Sequence, residues 1–193
     1  DESFPQTLVS WGLPATIARA MLMVWEKLFG MPTVELFIVL SGYCLMLPVL
    51  AAGGKLPGGL VAFVRRRAMR ILPPYYAMFA ISLAIAAVMV RYQLCRITGS
   101  GLALRWDAVI SHLLLIHDLR RDWAYTYNGP MWSVAVEWHI YFLFPLLLLP
   151  VRRRFGTLAM LALAFALGAP FHVPYRFYAG LFAFGMVAAE LTA

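Results

Sequence analysis

The sequence predicts an all-α fold, a polytopic bundle of transmembrane helices, on three observations. Hydrophobic residues make up 63% of the 193 and charged residues only 13%, against roughly half and a quarter in soluble domains. Mean hydropathy is +0.78, more apolar surface than a water-soluble core of this size can hide. The apolar residues also gather in runs long enough to cross roughly 30 Å of hydrocarbon. A single integral membrane domain over residues 1–193, part of something longer, is the simplest organisation, with no internal repeat or low-complexity tract.

Taken in order, residues 14–29 read as an interfacial helix. Ile17, Met21, Trp25 and Leu28 recur at helical spacing, while Arg19, Glu26 and Lys27 interrupt the run. Gly30 and Pro32 end it. Five candidate spans follow at residues 34–52, 71–90, 131–151, 157–171 and 175–193, the fourth being short. Residues 108–117 are apolar but too few to cross, so they are expected to be re-entrant, interfacial or packed on the bundle.

Net charge is +7, yet its placement argues against nucleic acid. Lys55, Arg65, Arg66, Arg67 and Arg70 form one cluster and Arg152, Arg153 and Arg154 another, each beside an apolar run. Such clusters mark cytoplasmic loops and anionic lipid headgroups, and no groove-reading motif accompanies them. Residues 53–70 and 151–156 are therefore expected inside and residues 91–130 outside. Cys44 and Cys95 belong to no C-x-x-C pair or disulfide framework and leave the redox compartment open.

The segment Asn128-Gly-Pro-Met-Trp-Ser-Val-Ala-Val-Glu-Trp-His-Ile-Tyr-Phe-Leu-Phe-Pro145 is the most informative. Pro130 suits a helix start. Ser133, Glu137 and Tyr141 follow at i,i+4 spacing and share one face. A carboxylate this deep costs about 2.5–3.5 kcal/mol on insertion scales, so Glu137 should face protein or water, as a working residue or as a structural hydrogen-bonding group. His139 lies about 200° around the helix from Glu137, which argues against a dyad of these two. His112 and His117 are five apart, poorly spaced for one metal, and no carboxylate or Cys completes a set. No metal and no bound cofactor are expected.

In Arg65-Arg-Arg-Ala-Met-Arg-Ile-Leu-Pro-Pro-Tyr-Tyr76, Arg67 and Arg70 project in the same direction on a helical turn. Their guanidinium forks match phosphate oxygens, as in coenzyme A, although most basic runs beside a span serve as topology anchors. Glu35 stands at the boundary of the first span, where an acid caps a helix N-terminus or meets an acceptor hydroxyl. Ser41 and Gly42 permit close helix packing.

Together these segments resemble the acyltransferase-3 family of membrane-bound O-acyltransferases. Val34-Glu-Leu-Phe-Ile-Val-Leu-Ser-Gly-Tyr43 is similar to its G-V-D-L-F-F-V-L-S-G-F signature, and Phe63–Tyr75 resembles F-x-x-R-R-x-x-R-I-x-P-x-Y. Gly129–Pro145 is similar to P-L-W-S-L-S-V-E-x-x-F-Y-L-L-F-P, and Tyr175–Ala189 resembles R-x-x-x-F-x-x-G-M-x-x-A. The four occur in family order.

The resemblance implies transfer of an acyl group, commonly acetyl, from acyl-CoA as co-substrate to a hydroxyl of a cell-surface or exported carbohydrate. The implied setting is a bilayer, with the bacterial cytoplasmic (inner) membrane expected. By motif match, Arg67 and Arg70 would meet acyl-CoA. Glu137 would support catalysis, with Glu35, Trp132, Ser133 and Tyr141 lining the site. The family's presumed catalytic His belongs to a span upstream of the Val34 motif, so this segment by itself is expected to be inactive. Glu35 replaces the family's Asp, and Trp138 and His139 stand where Glu and Gln are commoner. A transporter or exporter, or a non-catalytic membrane scaffold, is the alternative.

Overall fold

The computed structural model describes residues 14, 16–17, 31–92, 105–168 and 177–193. All of its regular elements are helical. The expected interfacial helix at 14–29 lies almost wholly outside the described residues.

Helix α1, Met31–Ala51, is apolar all round, as suits a helix with lipid on one side and protein on the other. Leu36, Phe37 and Leu40 point outward while Ile38, Met46 and Val49 are buried. Its end is built by glycine. The Gly54 amide donates to the Val49 carbonyl (2.7 Å) and the Gly53 amide to that of Leu50 (3.0 Å), with Gly53 left-handed at φ 64°. This is the Schellman arrangement.

Helix α2 runs over Gly59–Arg91, about 50 Å. It begins well before the expected span at 71–90, so Arg65, Arg66, Arg67 and Arg70 lie on the helix and not in a loop. Pro73 and Pro74 sit inside it. Lacking N–H groups, they leave the Met69 and Arg70 carbonyls without their regular i+4 donors. The helix continues because hydrocarbon offers the remaining backbone groups no other partner.

The segment joining α2 to the central helix holds α3, Trp106–Leu113, a 3₁₀ turn at His117–Leu119 and the single turn α4, Arg121–Ala124. Tyr75 and Tyr76 of α2 donate their hydroxyls to the His112 and Leu113 carbonyls, both at 2.8 Å, and so satisfy the end of α3. The apolar stretch expected at residues 108–117 is therefore the end of a short helix, closing at Leu113, and a reversal that follows it, both tied to α2.

The central helix α5, Met131–Phe155, widens to a π-helical turn at Phe144–Leu148. Pro145 cannot donate to the Tyr141 carbonyl, and a π bulge absorbs that lost bond. Helices α6, Thr157–Gly168, and α7, Tyr178–Thr192, complete the bundle. Among the described residues three helices, α1, α2 and α5, are long and apolar enough to cross a membrane. The five expected spans thus divide into three of full length and two shorter apolar helices. The twelve described residues of α6 cover about 18 Å.

Helices α1 and α7 pack with their backbones touching. A Cβ on Gly42 would lie 2.0 Å from the Phe182 carbonyl oxygen, and one on Gly185 would lie 1.9 Å from that of Val39. Small residues at such crossings replace the hydrophobic drive that lipid cannot supply. At one end of the bundle Arg152 of α5 pairs with Glu190 of α7, to which Thr157 also donates at 2.8 Å. Arg153 meets the Gly54 carbonyl.

Candidate active site

Glu137 occupies the face of α5 turned to α2. One helical turn on, the Tyr141 hydroxyl donates to its carboxylate, as the i,i+4 spacing dictates. The Ser41 hydroxyl of α1 is in hydrogen-bonding reach of Tyr141, so the pair joins three helices. Arg67 and Arg70 of α2 both act electrostatically on Glu137.

The two arginines are held differently. Arg67 is half-buried, its guanidinium 5.4 Å from the Tyr141 ring centre and 5.8 Å from that of Phe63. Cation–π contacts of this kind hold a guanidinium where water is scarce. Its Nε is buried without a hydrogen-bond partner. Arg70 is exposed and, with Glu137, lines a cavity of about 370 Å³ whose walls include Phe37, Tyr75, Asn128 and Met131. Asn128 is held by its bond to the Ser82 hydroxyl (3.1 Å).

The remaining expected residues separate from this group. Ser133 shares the Glu137 stripe but donates to the Pro130 carbonyl (2.9 Å), a local bond that ties it to the start of α5. Trp132 is buried on another face, stacked on Tyr178 of α7 at 5.8 Å. Glu35 is exposed near the start of α1 and interacts electrostatically with Tyr178. Arg67, Arg70, Glu137 and Tyr141 therefore meet, while Glu35 and Trp132 converge on Tyr178.

A second polar cluster escaped the sequence reading. His112 and His117 stack with ring centres 3.9 Å apart, both fully buried. Chain reversal at Leu115 makes this possible: the Ile116 amide donates to the Ser111 carbonyl (2.9 Å) and the Leu115 amide to that of His112 (3.1 Å). Leu115 takes the left-handed conformation, φ 52°, where glycine is usual. His112 Nδ1 donates to the Ala108 carbonyl at 2.8 Å, and neither Nε2 has a partner. Burial lowers the pKa of both; for His117, with His112 against it, the value is pushed down to about 4. Next to them Asp118 pairs with His139 of α5 at 3.1 Å, which turns His139 away from Glu137. An acid following His117 in an otherwise apolar stretch was the available signal. Among the described residues no group of three or more His, Cys, Asp or Glu is arranged to hold a metal.

Residues 4–192 match the family described as an acyltransferase domain. The chain belongs to the acyltransferase-3 family. It is also similar to the acyltransferase MdmB of Streptomyces mycarofaciens, 30% identical over 142 residues, which are 70% of this chain and 34% of that protein. The chain thus spans about a third of the length of this curated relative. No solved structure matches it. The arginine pair, Glu137 and Tyr141 of this acyltransferase-3 chain all lie within the matched residues.

Proposed function

We propose that this chain forms the donor-binding part of a membrane acyltransferase that takes an acyl group, acetyl in the simplest case, from acyl-CoA. The acceptor is a hydroxyl of a cell-surface or exported carbohydrate, and the setting is the bacterial inner membrane. One observation carries the reading: Arg70 and Glu137 line one cavity of about 370 Å³ between α2 and α5, with Arg67 stacked on Tyr141 next to them. Arg70 offers an open guanidinium fork suited to phosphate. Arg67 holds a buried donor without an acceptor, a group whose desolvation an incoming anion would offset.

In this scheme the arginines anchor the phosphates of acyl-CoA. Glu137, held by Tyr141, orients the hydrogen-bond network around the acceptor hydroxyl, and the apolar walls limit access of water to the thioester. The test is acyl transfer by the full-length protein in proteoliposomes, with acetyl-CoA and a membrane carbohydrate fraction. Incorporation of label that depends on Arg70 supports the reading. Carbohydrate flux across the membrane without acyl-CoA would replace it with transport.

A further inference from the structure

A second cavity lies on the other side of α5, and its wall residues are distinct from those of the arginine cavity. It measures about 420 Å³ and is lined by Val136, Ile140, Leu143, Leu167 and Ala179 together with His139 and Asp118. The wall is otherwise nearly all hydrocarbon. Polar side chains are costly to keep beside such a wall unless they are hydrogen-bonded.

The pair has a defined polarity. Asp118 is only 6% exposed, and its Oδ2 holds His139 Nδ1 at 3.1 Å. A carboxylate accepts, so Nδ1 carries the hydrogen of that bond, and in the neutral ring Nε2 must be the acceptor. The His139 side chain is 34% exposed, so the ring is accessible where Asp118 is not. The buried acid fixes the tautomer and the orientation of the ring, so that Nε2 faces outward from the pair. Asp118 Oδ1 has no hydrogen-bond partner, so the bond to His139 is the one its carboxyl group makes among the described residues.

We propose that this cavity binds an apolar molecule carrying a hydroxyl group, its hydrocarbon body against α5, α6 and α7 and its hydroxyl donating to His139, with Asp118 as the positioning residue. The inference does not depend on acyl transfer or on the arginine cavity.

The experiment uses the full-length protein in phosphatidylcholine nanodiscs, whose lipid has no hydroxyl or N–H donor. Two diazirine probes are compared, a long-chain primary alcohol and the matching alkane, with crosslinks mapped by mass spectrometry. Saturable labelling at residues 136–143 and 178–179 is expected, about 3–10-fold stronger for the alcohol, the discrimination of one hydrogen bond between neutral groups. His139→Phe, which keeps an aromatic ring and removes the acceptor, should bring the alcohol down to the alkane level, and Asp118→Asn should weaken it severalfold. Equal labelling by both probes in the unmodified protein would overturn the proposal, as would full alcohol labelling in a folded His139→Phe variant. Competition by phosphatidylglycerol would assign the hydroxyl to a lipid headgroup; its failure to compete would assign it to a free alcohol.

Discussion

The carbonyl oxygen of Phe182 occupies the space a side chain on Gly42 would need, 2.0 Å from the position of its Cβ. The atom in the way is backbone, so no rotamer change can relieve the clash. Gly42→Val should separate α1 from α7 and destabilise the bundle by about 1–3 kcal/mol, the usual cost of overpacking. The check is the thermal midpoint in detergent. Gly53→Ala, at a site with open space but left-handed φ, should cost less.

Glu137 and Tyr141 form one hydrogen-bonded unit. Glu137→Gln should insert normally and lose at least ~10²-fold in transfer if the carboxylate supports proton movement. Tyr141→Phe should lose less, because the acid itself and the two arginines beside it remain. Retention of full transfer by Glu137→Gln would make the carboxylate a purely structural group.

Arg67→Ala and Arg70→Ala should raise the KM for acyl-CoA about 10–100-fold each, the worth of one hydrogen bond to a charged group, with a smaller effect on kcat. Steady-state kinetics at varied acyl-CoA tests this. Because Arg67 also packs on Tyr141, its variant should lose stability that Arg70→Ala retains.

His117 predicts a pH dependence of stability. Its folded value of about 4 lies below the ordinary 6.5, so the unfolded chain binds the proton more readily. The stabilisation is complete above pH 6.5, declines as pH falls and is exhausted below about pH 4, at most about 3 kcal/mol. His112, Asp118, His139 and Tyr75 face the ring and set the exact midpoint. His117→Gln should flatten the profile of thermal midpoint against pH between 4 and 6.5; an unchanged slope would assign it to other groups.

Arg152 and Glu190 tie α5 to α7 at the end where Thr157 also binds the carboxylate. Either partner replaced by Ala leaves a largely buried charge without its counter-charge, and the loss should exceed that of the double variant. A double-mutant cycle on thermal stability measures the coupling.

Much of the proposed donor site was legible because its relationships are local. Arg67 and Arg70 are three apart and Glu137 and Tyr141 four apart, and helical periodicity alone places each pair on one face. The close approach expected at Gly42 is present for the same reason: a residue without a Cβ marks a crossing wherever a partner helix is available. Relationships between distant segments were not legible. Ser133 belongs to the Glu137 stripe by spacing, yet a nearer acceptor, the Pro130 carbonyl, captures its hydroxyl. His112 and His117 are out of phase on any helix, and only the left-handed Leu115 brings their rings together.

Composition and periodicity by themselves determined that this chain is a helical membrane protein and which side chains share a helical face, since both follow from solvent preference and the 3.6-residue repeat. Tertiary structure alone decided that Arg67 and Arg70 meet Glu137, that His139 turns to Asp118 and that α5 separates two cavities. Those choices depend on how helices cross and where loops reverse, which is set by contacts between residues far apart in the chain.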